Sequence, residues 1–134
     1  MEFESKKETP VAEKIPKGMH TGRMEEVLVA FITVESGDEE RKEGVAAEAS
    51  ADIIDTASKV GAERVMLYPY AHLSNDLGKP KDSIEILERM AEMIEAAGTE
   101  VVRAPFGWYK SFEIKCKGHP LSELSRDFAG KETK

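Results

Sequence analysis

At 134 residues the chain is one domain of ordinary size, long enough to bury roughly two thirds of the surface its unfolded form exposes. With 40% hydrophobic and 34% charged residues, and no apolar run near the roughly 18 residues a membrane helix needs, it excludes a spanning segment; the single cysteine, Cys116, excludes an internal disulfide and fits a reducing cytoplasm. A net charge of −7 argues against a non-specific nucleic-acid binder, yet residues 99–126 hold five Lys/Arg against three acids and the rest 14 against 23, so a polyanion would approach the C-terminal third.

The N-terminus, "MEFESKKETP", has no apolar core of a secretory signal. Residues 1–22 read as a short edge strand followed by a loop with two prolines. "EEVLVAFITVE" is nearly continuous apolar from Val27 to Val34 and rich in β-branched residues, the pattern of a central strand buried on both faces. After the charged connection "GDEERKEG", Val45, Ala49, Ile53, Ala57 and Val60 recur at intervals of four and three, which predicts a helix from Gly44 to Val60 with Gly61 as its stop.

"ERVMLYPY" is a short strand cut off by Pro69, because proline cannot donate to a ladder. The loop "AHLSNDLGKPK" leads to a second helix, capped by Asp82 or Ser83, with Ile84, Leu87, Ala91 and Ile94 on its buried stripe and Gly98 at its end. "TEVVRAPF" and "WYKSFEIKCK" read as a closing hairpin, and "HPLSELSR" as a helical turn with Pro120 at its first position. The order predicts an α/β fold: one mixed β-sheet with two main helices packed on one face. Residues 23–126 form the working domain, and 127–134 a tail or linker.

Polar residues gather where strands end, which is where α/β sheets bind ligands. Lys110 shares a strand face with Phe112, Ile114 and Cys116, where an apolar residue belongs. Either the strand starts one residue later and the lysine reaches solvent, or the lysine sits in a partly buried pocket where desolvation lowers its pKa and an acid such as Glu123 holds it charged. His72 in "YAHLSND" is either surface decoration or a proton carrier near neutral pH. Cys116 and His119, spaced as "CKGH", resemble half a zinc site, but a closed site needs four ligands and the chain lacks two more suitably placed; Cys116 reads instead as a small buried thiol and the metal expectation is none. Glu123 and Arg126 form a surface ion pair at i, i+3.

Taken together, "RMEEVLVAFITVE", "YPYAHLSNDLGKP", "APFGWYKSF" and "CKGHPLSELSR" resemble the archaeal N-terminal editing domain of threonyl-tRNA synthetase, in order and with matching spacing. The resemblance implies a fold similar to D-aminoacyl-tRNA deacylases and hydrolysis of L-serine mischarged onto threonine tRNA. It places the catalytic groups on Lys110, His72, Glu123 and Tyr109, and the aminoacyl pocket along Thr33, Val34 and Glu35 and along Pro69, Tyr70, Ala71 and Phe106.

No cofactor is expected in this domain, since ATP, magnesium and zinc belong to the synthetic domain of such enzymes. The implied partners are the serine-bearing 3′ end of threonine tRNA, the remainder of a synthetase in cis or trans, and a second copy of the chain. Members of the family begin with an additional hydrophobic strand, and "MEFESKK" falls about where that strand would end, so the resemblance also implies a truncated first strand. Two other readings stay open: a free-standing D-aminoacyl-tRNA deacylase, and a non-catalytic domain that binds tRNA or an amino acid.

Overall fold

A computed structural model describes residues 1–15, 20–118 and 120–128. Among these described residues, six strands and two long helices follow one another: β1 (Glu2–Glu8), β2 (Thr21–Arg23), β3 (Val27–Ile32), α1 (Lys42–Val60), β4 (Arg64–Pro69), α2 (Pro80–Ala96), β5 (Glu100–Arg103) and β6 (Trp108–Glu113). Short 3₁₀ turns at Asp38–Arg41 and Ala71–Leu73 precede α1 and follow β4. The α/β class and the two helices agree with the sequence.

The strands form two sheets rather than one. β3, β4 and β5 make a parallel sheet in that order, and β2, β1 and β6 an antiparallel one. Alternation along β4 explains why they stack. Val65 and Leu67 point to a core built with Ala46, Ala49 and Ala57 of α1 and Ile86, Met90 and Ile94 of α2; Met66 and Tyr68 point the other way, to Phe3 and Met24. A parallel strand covered on both faces reads as continuous apolar sequence. "VMLYP" therefore occupies the centre of its sheet, and the apolar run of β3, expected to be central, is an edge strand whose six residues are all half-buried.

Two further expectations change for the same reason. β1 was expected at an edge, but it lies between β2 and β6, because Phe3 supplies the apolar contact that seats it against Tyr68. β5 and β6 are no hairpin: the turn at residues 104–107 carries the chain from one sheet to the other, so the two strands never pair.

At the helices the differences are local. α1 starts at Lys42 and is capped by Gly61, whose φ of +73° is the left-handed conformation that glycine adopts without penalty. α2 begins with Pro80 at its first turn, after Lys79, so neither Asp82 nor Ser83 is the cap. Its buried stripe centres on Ser83, Ile86, Leu87, Met90 and Ile94, which leaves Ile84 and Ala91 at the margin.

Beyond β6 the described residues have no regular structure. Residues 120–126 make a turn and bends where a helical turn was expected, and Arg126 reaches Asp52 on α1 at 3.3 Å instead of pairing with Glu123. Cys116 is exposed, so it is not a buried thiol, and Ile114 beside it is exposed as well. Without a strand there, nothing among the described residues covers them. His119 lies outside the described residues.

Candidate active site

The parallel register sets Ile32 beside Pro69 and so brings two predicted pocket segments together at the ends of β3 and β4. The Tyr70 N–H donates to the Ile32 carbonyl at 2.8 Å, and the Thr33 hydroxyl donates to the Tyr70 carbonyl. Val34 turns its side chain into the helix-side core, and its carbonyl accepts the Gly78 N–H at 2.9 Å. The Glu35 N–H is held by Asp38 Oδ2 at 2.9 Å, while the Glu35 carboxylate accepts from the Ser74 hydroxyl at 2.6 Å. Burial, with Glu35 and Glu39 nearby, pushes the Asp38 carboxyl up from its ordinary value. Ala71 and His72 follow on the exposed 3₁₀ turn.

Lys110 takes neither of its simple alternatives in full, being half-buried with its ammonium enclosed by oxygens and an aromatic face. Its Nζ donates to the Pro105 carbonyl at 2.8 Å and to the Trp108 carbonyl at 3.3 Å, and stands 5.0 Å from the centre of the Tyr68 ring. Removal from water disfavours the charged form, and Glu13 opposes that effect; the balance leaves the amine well below its usual range, at about 8. Glu13, rather than Glu123, is thus the acid that favours the ammonium. Directly across the ladder from Lys110 stands Ser5, whose hydroxyl is buried without a hydrogen-bond partner among the described residues.

Aromatic contacts connect the lysine to the strand ends. Tyr68 and Tyr70 have ring centres 6.4 Å apart, and Tyr70 meets the His72 ring edge-on at 5.2 Å. Phe112, on the lysine's own strand face, packs 5.3 Å from Tyr68 and 5.7 Å from Phe31, although 38% of it stays exposed. Burial lifts the Tyr68 hydroxyl to about 12, so it remains neutral and serves as a face under the lysine.

The other predicted groups lie apart from this cluster. Tyr109 alternates to the opposite face of β6 and is 63% exposed. Glu123 is exposed in the irregular segment. Phe106 is half-buried, with its N–H given to Glu13 Oε1 at 2.6 Å and its carbonyl accepting the Glu13 N–H at 3.0 Å.

Glu13 and Arg103 were not picked out from the sequence. They form a bidentate pair at 2.5 and 2.9 Å, with side chains only 11% and 14% exposed. The signal available was the one that singled out Lys110, a charge within an apolar strand: "VVRAP".

The family model that this geometry can be set beside is described as "Archaea-specific editing domain of threonyl-tRNA synthetase", and it matches residues 1–128. The chain belongs to this family. Among curated relatives of the editing-domain family member, threonine–tRNA ligases from Methanothrix thermoacetophila and Methanosarcina mazei are 52% and 53% identical over 126 residues, 94% of the chain. The ligase of Methanobrevibacter smithii is 46% identical over 132 residues, 98% of the chain. The editing domain spans about a fifth of the length of these relatives, 20–22%. Among the described residues no helix is long and apolar enough to cross a membrane.

Proposed function

We propose that this domain hydrolyses the ester linking L-serine to the terminal ribose of threonine tRNA. The observation that carries the proposal is Lys110: the lysine of the family-like "APFGWYKSF" motif is desolvated, held by two carbonyls and set over the Tyr68 ring, which aromatic contacts link to Tyr70 and His72 after β4. The need is physical. Serine lacks only threonine's methyl group, and a missing methyl gives a synthetic site about 1–3 kcal/mol of discrimination, so a second, hydrolytic sieve is required.

An amine with a pKa near 8 is mostly protonated at neutral pH, so Lys110 acts as a cation. It holds the attacking water or the negative charge that develops on the carbonyl oxygen, in a site where water competes poorly. His72 orients the aminoacyl end, and the ribose 2′-hydroxyl assists proton transfer, so no covalent intermediate is needed. Tyr109 and Glu123, both exposed, meet the incoming tRNA end. Recognition of the amino acid falls to the backbone of Thr33–Glu35 and of Pro69–Ala71, which is rigid enough to read handedness. Partners are a serine-bearing threonine tRNA, the rest of a synthetase in cis or trans, and a second copy of the domain, for which the outer edge of β3 carries no strand partner among the described residues.

The test is Lys110→Met assayed on threonine tRNA charged with L-serine, beside tRNA charged with a D-amino acid. Loss of at least about 100-fold in serine release, with an unchanged circular dichroism spectrum, is the expected result. Near-normal release would overturn the assignment. Preference for the D-ester would move the activity to D-aminoacyl-tRNA, and binding of a non-hydrolysable seryl-adenosine without any release would leave only a binding domain.

A further inference from the structure

The segment just after β1 is tied to the turn before β6 by a set of bonds far denser than a loop needs. Thr9 donates its N–H at 3.1 Å and its hydroxyl at 2.6 Å to the Gly107 carbonyl. The Trp108 indole donates to the Glu13 carbonyl at 3.0 Å; the Glu13 N–H donates to the Phe106 carbonyl at 3.0 Å, and the Glu13 carboxylate accepts the Phe106 N–H at 2.6 Å besides its pair with Arg103. The carbonyls that hold the Lys110 ammonium belong to Pro105 and Trp108, which flank this clamp.

We infer that Glu13 is a positioning residue for Lys110: its carboxylate pins the Phe106 N–H and Arg103, so fixing the carbonyls that aim the ammonium, while its charge faces that ammonium. The inference rests on Lys110 being the reacting group. Geometry carries it, because one carboxylate ties together β5, the turn and the N-terminal segment around the lysine. Among the described residues, the charged or titratable groups facing Lys110 are Glu13 from that segment and Tyr68 from β4; Arg103 from β5 pairs with Glu13, and the His20 ring meets the Trp108 ring edge-on at 5.5 Å. Ser5 from β1 is neutral. With Tyr68 uncharged, Glu13 is the sole anion among them, and removing it leaves Arg103 as an unopposed neighbour, which disfavours the ammonium further.

Glu13→Gln tests this in the full chain, since the amide oxygen can still accept from Phe106 and Arg103. Lysine labelled with ¹³C at Cε is titrated by NMR in wild type and variant, with the Lys110 resonance assigned by its loss in Lys110→Met. The Lys110 midpoint should fall below the wild-type value near 8, and the pH profile of serine release should shift to lower pH in parallel. At neutral pH kcat should drop roughly tenfold or more, with KM changing less. Thr9→Val serves as the structural control: it weakens the clamp and lowers Tm but leaves the midpoint in place. If Glu13→Gln does not hold its fold, Glu13→Asp takes its place and moves the midpoint the same way by less, the charge being one methylene further off.

An unmoved midpoint overturns the inference even where Lys110→Met is inactive. A moved midpoint with an unmoved pH profile overturns it too. Full activity of Lys110→Met instead overturns the proposed function, whatever the titration of Lys110 shows about Glu13.

Discussion

A lysine held at a pKa near 8 destabilises the fold that holds it. Unfolded, Lys110 titrates near its ordinary 10.5; folded, it does so at about 8, because burial penalises the ammonium. Below about pH 8 both states carry the proton and the penalty is present in full. Between about 8 and 10.5 the unfolded chain binds more protons than the native one, so native stability rises with pH, and above that range the penalty has gone. Lys110→Met does not titrate. The difference in Tm, wild type minus variant, should therefore climb as pH rises from 7 to 10.5, with the common titrations of all other groups cancelling. A difference that stays flat across that range would mean the amine is not desolvated. Functional groups held at such a cost are the expected residue-level mark of an active site.

Gly107 decides whether the elements around Lys110 can close on one another. Its φ is +82°, and an added Cβ would stand 2.6 Å from Ala12 Cα and 2.8 Å from the Val11 carbonyl, both backbone atoms that cannot swing aside. Gly107→Ala should cost more than about 1–3 kcal/mol in urea unfolding, since clash adds to left-handed strain. Gly118, with φ +80° and open space around it, is the comparison: Gly118→Ala should cost only about 1–2 kcal/mol. Equal costs would show that the clamp yields easily. Much at this scale could be read from sequence, since α1, α2 and β4 announce themselves through local periodicity and stops. The division into two sheets could not, because "EVVRAPFGWYKSF" has the local pattern of a hairpin and only contacts with β1 and β4 separate its halves. Glu13 was illegible for the same reason: its partner Arg103 is 90 residues away, and nothing in "VAEK" distinguishes an acid that is buried from one that is solvated.

Across the whole molecule, charge sets how the domain can meet tRNA. The positive balance of residues 99–126 suggested a landing surface, but folding commits most of its cations. Arg103 is locked to Glu13, Lys110 is enclosed, Lys117 pairs with Glu26 at 2.7 Å and Arg126 with Asp52 at 3.3 Å. The last two pairs are exposed and can exchange a carboxylate for a phosphate at little cost, and Lys115 is exposed beside them. About three phosphate contacts are then available to a single-stranded 3′ end, and each contributes about −0.7 to the slope of log affinity against log salt. Fluorescence anisotropy of a labelled acceptor end should give a slope no steeper than about −2 for this chain. Binding should be weak, because the net charge of −7 repels the rest of the tRNA. A slope steeper than about −4 would reveal cationic contacts beyond those of residues 99–126, and would shift tRNA recognition from the candidate site to the domain as a whole. Under the proposed function, a slope within the shallow limit assigns specificity to contacts with the aminoacyl end near Lys110 and phosphate affinity to the assembly that delivers the tRNA.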